Sequence, residues 1–311
     1  MKRCLISYEE IAEGSGDYLE SNARKFFGTS EPPAIPYAYS ELEDMALNVI
    51  KSRIAVPGVQ PKLSLDLQKP RGKEARFTLV GLFGKYILKP PVAEYPELPE
   101  LEDLTMHLAT FFRIKTVPHC LIKLASGELS YLSKRIDRSG KKRIHMEDMA
   151  QLLGFLTEDK YKGSAERIAK AINSFSSNPG LDQIRFLEIL LFSFLTGNAD
   201  MHLKNFSLIY TPNNLITLAP AYDLVPTALV IPDDPEEMAI PLNGKKSNLK
   251  KSDFEALAER MRIPSKSFDN LMARMKAGIE PSLNFIEQSF LSPKLKISYQ
   301  NLIKSRATRL F

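Results

Sequence analysis

Leu195 to Leu208 reads LTGNADMHLKNFSL, and the reading of the fold turns on what bounds it. The run before it, Ile184 to Gly197 (IRFLEILLFSFLTG), is strongly apolar yet carries Arg185 and Glu188. It is shorter than the ~20 apolar residues a bilayer requires, so a buried helix is expected and no membrane span. After it, Phe206 to Tyr210 has strand character. A polar loop is thus anchored on both sides by apolar elements, an arrangement in which a rigid scaffold commonly presents reactive groups.

Within the loop, Asp200 and Asn205 stand in the spacing D-x-x-x-x-N. In phosphoryl-transfer enzymes of the protein-kinase type, an Asp in that pattern receives the acceptor proton and the Asn holds Mg²⁺. Asp223, in Ala221 to Val225 (AYDLV), supplies the second hard oxygen ligand such a metal needs. His202 and Lys204 add donors for phosphate. In the strand-rich part of the chain, Lys89 closes KYILK and Glu102 lies near the start of the following helix, where the two could form the lysine–glutamate pair of kinases. Taken singly, each of these charges is an ordinary surface residue, and the Asp200/Asn205 pair alone reads equally well as a solvated, capped loop.

Other chemistries are poorly supplied. The four histidines (His107, His119, His145, His202) show no HxxxH or HxH spacing. There is no G-x-x-x-x-G-K-[ST], no G-x-G-x-x-G and no G-x-S-x-G. Cys4 and Cys120 cannot build a disulfide framework, and with Ser7 where a CxxC half-site needs cysteine, Cys4 reads as a buried thiol. The chain has 311 residues, 44% hydrophobic and 25% charged, which excludes a disordered polypeptide. Its net charge, 42 − 37 = +5, permits an acidic partner without demanding one. The N-terminus lacks an apolar signal core, and a reducing, cytoplasmic setting is the default.

Working outward, residues 1–35 read as polar and irregular. Strands are expected at Lys62–Leu67, Arg76–Val80, Lys85–Leu88, Leu121–Leu124 and Tyr131–Ile136, around a helix from Glu100 to Phe112. Helices are expected over Met146–Thr157, Gly163–Asn173 and Leu181–Leu195. Short strands follow near Phe206–Tyr210 and Leu215–Leu218, and a helix N-capped at Ser252 with Glu255 comes later. The class is α+β, a strand-rich lobe over 1–135 joined to a mainly helical lobe over 136–311.

These residues together resemble the HipA-like serine/threonine kinases, toxins of bacterial toxin–antitoxin modules. The likeness runs in order through AVPGVQPK (55–62), YILKP (86–90), LEDLTMHLA (101–109), SKRIDR (133–138), HMEDMAQLLG (145–154), TGNADMHLKNFSL (196–208), PAYDLVPT (220–227) and PLNGKKSNL (241–249). It implies a two-lobed protein-kinase-like fold using ATP and Mg²⁺. Pro57, Gly58, Val59, Gln60, Pro61 and Lys62 resemble the family's nucleotide loop, and Lys89 with Glu102 its phosphate-pairing lysine and helix partner. Lys134, Arg135, Ile136 and Asp137 resemble the hinge that receives adenine and ribose. Asp200 resembles the catalytic base; His202, Leu203, Lys204 and Asn205 resemble the phosphate and metal contacts, and Tyr222 with Asp223 the second metal position.

Two departures matter. Ala55 and Pro57 stand where the family's loop usually has serines, so this loop is expected not to be autophosphorylated. Only about 55 residues precede it, as in the short HipT-type members of three-component modules. The resemblance further implies an aminoacyl-tRNA synthetase with bound tRNA as substrate, tryptophanyl before glutamyl, and so arrest of translation. The implied partners are a small HipS-like antitoxin and a HipB-like DNA-binding protein, with no sequence-specific DNA contact by this chain. Action inside the bacterium is expected, with export to a host left open. Lys245 to Lys251 (KKSNLKK) reads first as a solvated loop. A nucleotide-binding scaffold, or a lipid or metabolite kinase, are the competing readings at this level.

Overall fold

The computed structural model describes residues 2–42, 61–69, 74–80, 84–140, 142–231 and 233–311. The chain divides into two compact units, Met1–Asp103 with Val117–Arg135, and Leu104–Thr116 with Ile136–Phe311. Residues 104–116 therefore cluster with the helical unit and not with the strand-rich part of the chain that surrounds them in sequence.

The first unit is built on a five-stranded antiparallel sheet. After a hairpin of β1 (Lys2–Arg3) and β2 (Glu10–Ile11) come β3 (Leu63–Gln68), β4 (Arg76–Leu79), β5 (Tyr86–Lys89), β6 (His119–Lys123) and β7 (Leu129–Lys134). The sheet order is β4-β3-β5-β7-β6. Alternation along β3 buries Leu63 and Leu65 against Phe77, Tyr86, Leu88 and Leu132. Residues 1–35 are more ordered than their polarity suggests. Helix α1 (Glu20–Phe27) buries Ala23, Phe26 and Phe27, an i, i+3, i+4 stripe, and ends on Gly28 in the left-handed conformation. Cys4 and Cys120 are free and buried.

Helix α2 (Leu98–Leu108) begins in the first unit and ends in the second. In the helical unit, Met146–Thr157 is not one helix. Met146–Asp148 forms β10, paired with β11 (Ser207–Tyr210), and only Met149–Leu152 turns helical, as α3. Asp148 and Gln151 form a capping box there, and this local exchange stops the strand and starts the turn. Short strands β8 (Arg138–Ser139) and β9 (Lys142–Arg143) precede it, and β12 (Ile216–Leu218) pairs with β11. The remaining helices are α4 (Ala165–Phe175), α5 (Pro179–Thr196), α6 (Thr227–Val230), α7 (Lys251–Arg260), α8 (Ser265–Ile286) and α9 (Pro293–Ala307). Helix α7 starts one residue before the expected cap at Ser252. The carboxylate of Asp253, not a serine hydroxyl, accepts from the Lys250 N–H at 3.1 Å. Within the basic loop, Lys245 pairs with Asp253 and Lys246 with Glu236.

Helix α5 is the centre of this unit, with Phe186, Leu187, Leu190, Leu191, Phe192, Phe194 and Leu195 all buried. Its Phe192 meets Phe112 edge-on, with ring centroids 5.2 Å apart. Phe112 also lies against Gly278 of α8, where an added Cβ would come within 2.8 Å of the ring and 2.9 Å of the Phe111 carbonyl. Gly278→Val should therefore overpack this contact and cost about 2 kcal/mol, despite glycine's poor helix propensity. Thermal unfolding is expected to show a midpoint lower by roughly 4–8 °C, while an unchanged midpoint would mean that α8 and the Phe111–Phe112 segment have room to part.

Candidate active site

The polar loop of the second unit starts from a fixed point. Helix α5 ends on Gly197 (φ 70°), whose N–H donates back to Phe194 and Ser193. A Cβ there would lie 2.6 Å from Leu302 and 3.0 Å from Ala228, so glycine meets both the left-handed backbone and the lack of space. Thr227 then braces the turn: its hydroxyl accepts from the Ala199 N–H at 2.8 Å and donates to the Gly197 carbonyl at 3.3 Å.

Inside the loop, the Asp200 N–H donates to Asn198 Oδ1 at 3.0 Å, and the His202 N–H to the Asp200 carbonyl at 2.8 Å. Buried Asn205 gives its carboxamide N–H to the same Asp200 carbonyl at 2.9 Å. The D-x-x-x-x-N spacing thus closes a hydrogen-bonded ring. It also uses the amide nitrogen of Asn205 and leaves the carboxamide oxygen as the atom for a ligand. That oxygen and the Asp223 carboxylate are both hard donors, suited to Mg²⁺ rather than to a soft metal. Asp223 adopts φ 61°, an uncommon conformation for a non-glycine residue and a frequent one at functional sites. Its neighbour Tyr222 ties this segment to the loop, its hydroxyl donating to the Lys204 carbonyl at 3.0 Å and meeting Ser207 Oγ at 2.6 Å. Lys204 reaches Thr157 Oγ1 at 3.4 Å and Asp148 at 3.7 Å. Leu203 is buried beneath.

One contact was beyond sequence reasoning. Tyr161, 39 residues upstream, donates its phenol O–H to Asp200 Oδ1 at 2.6 Å. Its ring also meets the His202 imidazole edge-on at 5.1 Å. Asp200 and Asp223 both act on these two side chains electrostatically, so the two carboxylates share one local field. Burial raises the Tyr161 phenol well above the ordinary value, reinforced by the hydrogen bond and charge of Asp200. Burial lowers the His202 imidazole, against the pull of Asp200. The His202 Nδ1 atom is buried with no hydrogen-bond partner among the described residues.

In the first unit, Lys89 at the end of β5 is buried, and its Nζ donates to both oxygens of buried Glu102, at 2.6 and 2.7 Å. The pairing expected of these two residues is formed. Tyr131, the cross-strand partner of Lys89, places its ring centroid 5.4 Å from the ammonium. Next to Glu102, buried Asp103 accepts from Tyr8 at 2.9 Å and contacts His119 Nδ1 at 2.7 Å, which holds this end of the helix in place. Of the loop residues, Pro57, Gly58, Val59 and Gln60 lie outside the described residues, as does Ala55. Pro61 and Lys62 lead directly into β3, with Lys62 exposed. Lys134 ends β7 with its ammonium 4.8 Å from the centroid of the Phe26 ring, and the Arg135 N–H donates to the Lys85 carbonyl at 2.8 Å. Ile136 and Asp137 belong to the second unit, where Asp137 pairs with Arg138 at 2.5 Å.

Removing one partner of a buried ion pair leaves the other charge uncompensated. Glu102→Gln should therefore cost about 3–5 kcal/mol, and the double change Lys89→Met, Glu102→Gln should recover most of it. Chemical denaturation of the three chains checks this, and equal losses in single and double variants would contradict it. For His202 the sign follows from its lowered folded value. Below about pH 6.5 the unfolded imidazole binds a proton that the folded one refuses, so this residue weakens the fold as pH drops. The urea midpoint should fall between about pH 7.5 and about pH 5.5, and fall less in His202→Gln. An identical fall in both proteins would remove His202 as the cause.

The HipA-like C-terminal domain family matches residues 54–283. The relative named "Putative kinase Y4dM", from Sinorhizobium fredii, is 31% identical over 252 residues, 77% of this chain and 60% of that one. The serine/threonine-protein kinase toxin HipA of Shewanella oneidensis is 33% identical over 195 residues, 56% of this chain and 43% of that one. The chain thus spans about half the length of the curated relatives it matches. Among solved structures, HipA of the Shewanella oneidensis complex with HipB and operator DNA superposes with a TM-score of 0.68 at 23% identity. That match covers 88% of this chain and 71% of that one. The Helicobacter pylori proinflammatory kinase CtkA gives 0.54 at 15% identity, covering 79% and 92%. The fold is α+β and kinase-like, no described helix is long and apolar enough to cross a membrane, and the chain belongs to the HipA-like C-terminal domain family.

Proposed function

We propose that this chain is a Mg²⁺-dependent serine/threonine protein kinase that acts as the toxin of a toxin–antitoxin module. The observation that carries this reading is the buried Lys89–Glu102 pair. Desolvating two charges makes such a pair weak as a source of stability, since well-packed apolar residues often do as well or better. Its value lies in holding an ammonium at a set position, which is the task of the lysine that pairs nucleotide phosphates.

The other residues take roles that their chemistry allows. Asp200 orients the acceptor hydroxyl and receives its proton, and its backbone carbonyl, held by Asn205 and His202, keeps the loop from reorganising. Asn205 and Asp223 would hold Mg²⁺, which when bound would supply positive charge to neutralise the transferring phosphate. Lys89 would fix the α- and β-phosphates, with exposed Lys62 as a further donor to them. Lys134 to Asp137 receive adenine and ribose. His202, neutral because burial opposes its protonation, offers a donor without adding charge. Tyr222 acts as a strut between the Asp223 segment and the loop.

The acceptor is a serine or threonine of an aminoacyl-tRNA synthetase with bound tRNA, the tryptophanyl enzyme before the glutamyl one, and its modification arrests translation in the bacterial cytoplasm. A HipB-like DNA-binding protein and a small HipS-like protein restrain the toxin. This part rests on family likeness.

The test is transfer of labelled phosphate from Mg-ATP to the two purified synthetases with tRNA. Asp200→Asn and Asp223→Asn should each reduce transfer by ~10²–10⁴-fold while the proteins remain folded. ATP binding without label on either synthetase would move the acceptor elsewhere, and absence of ATP binding would refute the kinase reading.

A further inference from the structure

Tyr161 lies outside the proposed catalytic set, yet its hydroxyl sits on the carboxylate oxygen of Asp200 that an acceptor would need. A short, charge-assisted hydrogen bond of 2.6 Å runs from the phenol to Asp200 Oδ1. The surrounding segment is docked on the loop by independent contacts. The Leu203 N–H donates to the Lys160 carbonyl at 3.1 Å, and Gly163 lies so close to Leu203 that a Cβ would come within 2.4 Å of it. The ring is held by the His202 edge and by the Lys160 ammonium, 4.9 Å from its centroid. The phenol thus stays beside Asp200 without needing the hydrogen bond for its own burial. Tyr161 is also 42% exposed, which is unusual for a tyrosine whose purpose is packing, and it lies where an incoming molecule can reach it.

Given the kinase reading above, on which this inference rests, we propose that Tyr161 is a resident occupant of the acceptor position and decides which hydroxyl reaches Asp200. A protein hydroxyl brings binding contacts of its own and displaces the phenol. Water brings none and is held off. During transfer the acceptor oxygen bonds to the γ-phosphorus, the bond from phosphorus to the ADP oxygen breaks, and the acceptor proton passes to Asp200. Tyr161 loses and gains no atom, and its raised phenol keeps its proton throughout.

Tyr161→Phe keeps the ring and its contacts and removes only the O–H. Mg-ATP hydrolysis without a protein acceptor should rise about tenfold, the value of one modest hydrogen bond to a charged group. For transfer to tryptophanyl-tRNA synthetase with tRNA, KM should fall several-fold while kcat stays within about twofold. A merely structural tyrosine would move kcat, or neither constant. Hydrolysis that is unchanged or lower, a loss of kcat, or phosphate found on Tyr161 itself would overturn the proposal. An unaltered response of an active wild-type enzyme refutes this inference alone. Failure of both proteins to use ATP would refute the kinase reading with it.

Discussion

The left-handed turn at Gly197 is the constraint from which the candidate site is built. Helix α5 is buried almost all round, so its axis and its end are set by packing on every side. Burial of this kind leaves no soft direction in which the helix terminus can shift, because interiors are close-packed. The turn then sends the chain into Asn198 to Asn205, whose backbone is held by Thr227, by Asn198 and Asn205 within the loop, and by Lys160 and Tyr222 outside it. Asp182, buried in the same helix, extends the control past the loop. It accepts from Ser176, from the Leu218 N–H and from Arg185, and so ties β12 to the helix. Through β12 and its partner β11, the strand that leaves Asn205 is also held.

The first unit solves a different problem. In the proposed kinase role Lys89 has to remain charged and aimed, yet it is 4% exposed. Two carboxylate oxygens and an aromatic face provide for that charge, and Glu102 is itself placed by Asp103, Tyr8 and His119 next to it. The N-terminal hairpin is therefore an ordered support for this end of the helix, through Tyr8 and Asp103. Tyr8 sits at positive φ with its carbonyl gripped by Arg3, a strained arrangement that the surrounding hydrogen bonds maintain.

How much of this could be read beforehand varied with the range of the interaction. Helix α5, its glycine stop and the flanking strand were legible because each rests on local pattern, apolar run, capping residue and β-propensity. The Asp200–Asn205 relation was legible as spacing, since five residues in one turn of loop can close a ring. Met146–Thr157 was misread because apolar residues at helical intervals also suit a short strand followed by a turn. Strand pairing with β11, 63 positions downstream at Met146–Ile209 and 59 at Asp148–Ser207, settled the choice. Helix α1 was overlooked since a single stripe of three apolar residues is weak until a core exists to receive it.

Local pattern was enough for the class of the fold, the anchored polar loop and the residue types able to hold phosphate and a hard cation. These depend on local propensity and on ordered motifs, which the linear chain contains in full. Long-range packing was needed to bury the Lys89–Glu102 pair, to cluster residues 104–116 with the helical unit, and to place the Tyr161 hydroxyl on Asp200. Such facts join positions whose sequence separation carries no periodicity. Only the packing of whole elements, with its cost for every unfilled space and unpaired polar atom, selects them.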